Sequence, residues 1–276
     1  MESPRDERMN AFDPRHVRKT ILDMAHSGST VHIGCAYSIV ELLTSLYRSH
    51  LKFDPAHPDA ADRDYMVLSK GHGVMAQYAC LYEAGVLSDD DIRQYFSNGT
   101  RLKGLADAHV PGVEVTAGSL GHGLSVGVGL AMASKLNKTS QICYALVGDG
   151  EINEGAIWEA LLFAAHFKLD NLIVIVDKNG FQAMGPTDEV MALGNIQHKF
   201  EAFGFETITI DGHDETAIDA AYVALKANKD GRPKAIVANT VKGKGVSFME
   251  HDNIWHYTRL NDATYNAALR ELGYTS

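Results

Sequence analysis

The chain has 276 residues, 45% of them apolar, and a formal net charge of −10 from 25 Lys and Arg against 35 Asp and Glu. That length suits one large soluble domain or two modest ones, and the acidic balance argues against a nucleic acid as main partner, because such binding neutralises phosphates with Lys and Arg. Cys35, Cys80 and Cys143 sit far apart in apolar runs, which fits a reducing, cytoplasmic compartment rather than a disulfide framework or zinc site; with no apolar segment after Met1 and no run of about eighteen apolar residues, neither an export signal nor a membrane span is expected.

A polar lead over 1–12 precedes what reads as one folded domain over 13–276. Asp13-Pro14 predicts a helix start, with Pro in the first turn where its missing N–H costs nothing, and a helix to about Ala25. Ile39, Leu42, Leu43, Leu46 and Tyr47 form one apolar stripe, predicting an amphipathic helix over 36–50. Asp64-Tyr65-Met66-Val67-Leu68 reads as a buried strand, and Ser69-Lys70-Gly71-His72-Gly73 as the turn into a helix ending near Ala84. Ser88-Asp89-Asp90-Asp91 is a capped helix start at the surface. Residues 99–123 form a turn-rich segment of the length that functional loops have. Leu124, Val128 and Ala131 then repeat at helical spacing, with Gly127 and Gly129 leaving room for a neighbouring backbone.

Beyond this, strands are expected over 142–147, 172–176, 207–210 and 235–238, and helices over 154–167 and 215–227. Continuously apolar strands alternating with helices predict a doubly wound α/β fold, a mostly parallel sheet with helices on both faces. Ligands bind such sheets outside the carboxyl ends of the strands, so the loops after Val147, Val176 and Ala238 should converge on one crevice.

Val147-Gly148-Asp149-Gly150-Glu151 follows one of these strands and Asp177-Lys178-Asn179-Gly180 the next, with Asp149 and Asn179 thirty positions apart. The glycines allow a ligand to approach the backbone, while Asp149 offers a carboxylate and Asn179 an amide oxygen, donors suited to Mg²⁺ or Ca²⁺. A helix starting near Glu154 turns its anion-favouring end the same way. Either motif alone is an ordinary tight turn; placed together at the ends of consecutive parallel strands they describe a metal and diphosphate cradle. No Gly-x-x-x-x-Gly-Lys-Ser/Thr loop occurs, and the run from Gly121 through Gly127 misses the dinucleotide spacing by one residue.

This pairing resembles the thiamin diphosphate signature, and further motifs narrow the resemblance to the transketolase family. They are His32-Ile33-Gly34, Asp62-Arg63-Asp64, the Ser69 to Gly73 turn, Pro111-Gly112-Val113-Glu114 running on to Gly121-His122-Gly123, Asp211-Gly212-His213-Asp214, Lys242-Gly243-Lys244-Gly245 and Trp255-His256. The resemblance implies that Asp149, Asn179 and the Phe181 carbonyl hold the divalent ion, and that Gly148, Gly150 and His72 face the diphosphate. It implies further that Gly118, Ser119 and Leu120 meet the aminopyrimidine, that His256 stands between cofactor and substrate, that His32 is the second catalytic histidine, and that Glu154 joins the cofactor environments of two subunits. Of the thirteen histidines, His16, His26, His50, His57, His166 and His198 carry no motif and default to surface or helix packing; His122 and His213 are intermediate. Met184 and Met191 read as core or loop packing.

Two departures from the family bear on function. Leu105 occupies the position of an expected active-site histidine and offers no hydrogen bond, with His109 a candidate substitute. The chain is also less than half as long as common transketolases and lacks the pyrimidine-binding half. The resemblance therefore implies the N-terminal subunit of a split transketolase, completed by a separate pyrimidine-binding chain as α2β2, moving a two-carbon ketol unit between small sugar or sugar-phosphate substrates. The competing expectations are the α subunit of a 2-oxo acid dehydrogenase, a deoxyxylulose-phosphate-synthase-like activity and a non-catalytic regulatory subunit.

Overall fold

In the computed structural model, which describes residues 12–28 and 31–275, the described strands are β1 (Tyr65–Leu68), β2 (Cys143–Gly148), β3 (Leu172–Lys178), β4 (Glu206–Asp211) and β5 (Lys234–Asn239). All pair in parallel, in the order β1-β2-β3-β5-β4. The apolar runs of β2, β3 and β5 are continuous because each strand is covered on both sides. Tyr144, Leu146, Ile173, Ile175 and Ile236 enter one core, and Cys143, Ala145, Val174, Val176 and Val237 the other. Period-two alternation thus divides each strand between two buried layers.

The first layer holds α1 (Pro14–Ser27), α2 (Ile33–Tyr37), α3 (Val40–Ser45), α4 (Val74–Glu83), the short α5 (Asp89–Arg93) and, later in the chain, α10 (Glu215–Ala227) and α11 (Asp262–Glu271). The second holds α6 (His122–Asn137), α7 (Gly155–His166) and α9 (Ile196–Ala202); α8 (Thr187–Met191) lies in the β3 to β4 connection. Asp13 caps α1 by accepting from the Arg15 N–H, with Pro14 in the first turn, and Ser88 and Asp91 form a reciprocal capping box on α5. Phe12, the last residue of the polar lead, is buried and stacks on Tyr47; the rest of that lead lies outside the described residues.

The expected amphipathic helix over 36–50 is instead two short helices broken at Ser38 and Ile39, followed by a π-helical turn Leu46–His50. It has no solvent face over α3: Glu41, Thr44 and Ser45 are buried with the leucines, because this segment lies under α1, α4 and α10. Gly127 packs against Cys143 and Ala145 of β2, whereas Gly129 faces open space and makes no close approach. Helices α8, α9 and α11 were not predicted.

Strands β2, β3 and β5 run one or two residues beyond their predicted ends, and this positions the site. Gly148 pairs with Asp177, and Asp177 and Lys178 with Ala238 and Asn239. The three loops therefore leave the sheet side by side, as the topology rule requires.

Candidate active site

A cavity of about 470 Å³ opens at these strand ends and is lined by His32, His72, Leu105, Gly118, Leu120, Gly148, Asp149, Gly150, Glu154, Asn179, Phe181 and His256, among others. All but one of the site residues expected from sequence share it. The exception is Ser119, which is exposed and outside the lining. A larger hollow of about 690 Å³ between α1, α4, α5 and α11 has ionic side chains already matched to one another, Lys19 to Asp23 and His26 to Asp262.

Asp149 is buried. Its carboxylate accepts from the backbone N–H groups of Gly150 and Gly180, at 2.8 and 2.7 Å, and from Thr187 Oγ1. No Lys, Arg or His forms an ion pair with it among the described residues. Burial and the neighbouring Asp177 push its carboxyl up to about 6, against those backbone bonds. A buried carboxylate with neutral donors only is what an entering cation stabilises. Asn179 donates through Nδ2 to Asp177, which fixes the amide so that Oδ1 is the oxygen left on the loop side, where it accepts from the Phe181 N–H.

The buried amide nitrogens of Asn153 and Gln182 have no partner among the described residues, and both side chains line the cavity. Unpartnered donors beside a carboxylate, an amide oxygen and close-packed glycines fit a diphosphate bridged by a divalent ion. Gly150 is needed at its place because a Cβ there would stand 2.9 Å from Gln182 Cγ.

Asp177 and Glu151 organise this cradle, although neither is assigned a role by sequence reasoning. Asp177, fully buried, accepts from Lys70 Nζ, Ser38 Oγ, Asn179 Nδ2 and Thr240 Oγ1. Burial raises its carboxyl, but the Lys70 ammonium outweighs that and holds it low. Glu151 accepts from Ser69 Oγ, the Gly121 N–H and the Gly148 N–H, tying the loops after β1 and before α6 to the end of β2. The signal for Asp177 was a charged residue ending a continuously apolar strand; for Glu151 it was its place directly after the Gly-Asp-Gly turn.

His32, His72 and His256 face one another with ring centroids 5.3 to 5.7 Å apart. Burial, reinforced by nearby lysines, lowers His32 to about 4 and His256 to about 3, and drives His72 well below its ordinary value. All three are neutral imidazoles at physiological pH, each able to donate from one nitrogen and accept at the other. Lys242 Nζ donates to His256 Nδ1 at 2.8 Å and to Asn253 Oδ1 at 2.7 Å. The motifs flanking the site also meet each other: Arg63 is ion-paired with Glu114.

Three expectations are corrected here. Leu105 does line the cavity, but His109 is no substitute for a histidine there: its side chain is 90% exposed and paired with Asp107 at 2.7 Å, held outward by a local turn in which Asp107 also accepts its backbone N–H. Met184 is 74% exposed at the cavity mouth and Met191 is 61% exposed, so neither is core packing; both belong to the connection after β3 that carries the cradle past the sheet edge.

The transketolase thiamine diphosphate binding domain family matches residues 14–276, and the chain belongs to that family. Among curated relatives, an apulose-4-phosphate transketolase subunit from Actinobacillus succinogenes is 41% identical over 92% of this chain and 92% of its own. A 6-deoxy-6-sulfo-D-fructose transketolase subunit from a Clostridium species is 38% identical over 93% of each. Of solved structures, transketolase from Leishmania mexicana superposes with a TM-score of 0.89 at 31% identity over 100% of this chain, and that from Campylobacter jejuni with 0.87 at 30% over 98%. The chain spans 42% and 43% of those two chains.

Proposed function

We propose that this chain is the diphosphate-binding subunit of a two-chain transketolase, transferring a two-carbon ketol unit from a ketose donor to an aldose acceptor. The observation that carries this reading is the buried Asp149 carboxylate, held by neutral donors beside Asn179, in one cavity with three neutral histidines. Asp149, Asn179 Oδ1 and the Phe181 carbonyl would hold Mg²⁺, or Ca²⁺ in its place. Asn153, Gln182 and His72 would meet the diphosphate oxygens. Thiamin diphosphate, when bound, supplies the nucleophilic carbon and the electron sink that the chain's own side chains lack. His32 and His256, uncharged at neutral pH, would donate hydrogen bonds to substrate hydroxyls and to the carbonyl oxygen as charge gathers on it.

The assembly that fits this reading is α2β2, with a second polypeptide providing the pyrimidine-binding half, and the compartment is the cytoplasm, where the three buried thiols stay reduced. Two of its relatives bear subunit names and match over more than nine-tenths of their length, which supports a site divided between chains. Among the described residues no helix is long and apolar enough to cross a membrane.

The test is co-expression with candidate pyrimidine-binding chains and assay of two-carbon transfer from a panel of ketose phosphates, with thiamin diphosphate and Mg²⁺. Transfer by one pairing supports the reading. Cofactor binding without transfer by any pairing would replace it with the regulatory one.

A further inference from the structure

The motif Asp211-Gly212-His213-Asp214 lies at the end of β4, outside the cavity lining. Gly212 runs close under the loop after β5: a Cβ there would stand 2.4 Å from Thr240 Cγ2. His213 then reaches in two directions. The Val241 N–H donates to its Nε2 at 2.8 Å, so in the neutral ring Nδ1 carries the proton, and Nδ1 lies 2.9 Å from Glu41 Oε2. Glu41, on α3, is also bound by Arg18 of α1 through both terminal guanidinium nitrogens, at 2.7 and 2.9 Å. Arg18 Nε in turn donates to the Lys244 carbonyl at 2.8 Å.

One buried carboxylate thus grips two side chains, and these hold the backbone on either side of Lys242. Gly245 cannot bear a side chain there, since its φ is +95° and a Cβ would meet Arg18 Nε at 2.9 Å. The held residue, Lys242, donates to His256 Nδ1. An ammonium only donates, so Nδ1 must accept and the neutral His256 ring carries its proton on Nε2. We propose that Arg18, Glu41 and His213 are positioning residues that fix Lys242 and, through it, the tautomer of the cavity histidine His256. None of the three touches the cavity. The proposal stands on geometry alone; only its consequence for turnover rests on the function proposed above.

The test uses the full chain labelled with ¹⁵N-histidine, whose long-range proton–nitrogen spectrum distinguishes protonated from bare ring nitrogens. The His256 signals are assigned by their loss in His256→Asn. The wild type should show the pure Nε2–H pattern, and Lys242→Met, which leaves only the weakly donating Cys35 thiol 3.6 Å from Nδ1, a mixture of tautomers. His213→Ala should move His256 toward the same mixture, although the two residues do not touch. His213→Gln, whose amide both accepts from Val241 and donates to Glu41, should restore the wild-type pattern. A folded His213→Ala variant with an unchanged His256 pattern would overturn the proposal; if alanine prevents folding, His213→Phe keeps the ring volume, removes both nitrogens and decides in the same way. In the assembled enzyme, His213→Ala should lower kcat roughly ten- to a hundredfold, the usual effect of losing an orienting partner, with little change in donor KM. A shifted spectrum with unaltered kcat would uphold the clamp and count against the role given to His256.

Discussion

Asp149 and Glu151 stand two positions apart, both buried, yet have different uses because different groups reach them. Glu151 is saturated by one hydroxyl and two backbone N–H groups, from two loops and the end of β2. Asp149 has backbone donors and a hydroxyl but no basic side chain among the described residues. Asp149→Ala should therefore abolish Mg²⁺-dependent binding of thiamin diphosphate while leaving the fold intact, as read by titration calorimetry and circular dichroism. Metal-dependent binding at wild-type strength would refute the ligand assignment. Leu105 makes its side of the cavity locally apolar, its Cδ1 3.0 Å from where a Gly118 Cβ would stand. Leu105→His should accordingly change the ratio of kcat/KM between donor ketoses by about tenfold, the usual worth of one hydrogen bond to a substrate hydroxyl. His109→Ala should leave donor kinetics unchanged, since that side chain faces outward.

At the level of elements, the strand ends were legible and the helices less so. Continuous apolar runs closing on Gly148-Asp149 and Asp177-Lys178-Asn179 have few readings other than buried parallel strands with a site at their tips. The segment over 36–50 misled because an apolar stripe with Glu41, Thr44 and Ser45 opposite looks amphipathic. Only tertiary structure shows Glu41 paired with the Arg18 guanidinium and hydrogen-bonded by His213, and therefore buried. Lys70, Asp177 and Glu151 escaped a role for the same reason: most of their partners are distant in sequence. Burial alone would raise the Glu41 carboxyl, but the His213 bond and the Arg18 charge bring it down from 4.5 to about 2. Its folded value is depressed, so its stabilisation is complete above about pH 4.5 and is lost as pH falls through about 2. Glu41→Gln, which leaves a buried guanidinium without its counter-charge, should lower stability at neutral pH by about 3–5 kcal/mol. Urea unfolding of both proteins should show this gap narrowing as the pH approaches 2; a gap independent of pH would show that the carboxylate charge is not its source.

On the scale of the molecule, the second helical layer is incompletely covered. Leu136 is 68% exposed, Leu162 60% and Phe163 41%, which gives α6 and α7 an apolar outer face. Glu154, read as joining two cofactor environments, stands directly before the first residue of the same α7. On the proposed α2β2 reading, a second copy of the chain would cover that face. Leu136→Asp combined with Phe163→Asp should shift the assembly to half its mass in sedimentation velocity, whereas an unaltered assembly would place the contact elsewhere. The chain aligns with relatives named as subunits over nine-tenths of their length and spans 42% of the Leishmania mexicana transketolase chain. The most direct measurement is the initial rate of two-carbon transfer at a fixed concentration of this chain, with thiamin diphosphate and Mg²⁺, as the pyrimidine-binding partner is titrated in. The rate should be zero without partner and rise to a plateau at equal molar amounts; turnover by this chain alone, or none at saturating partner, would contradict a divided active site.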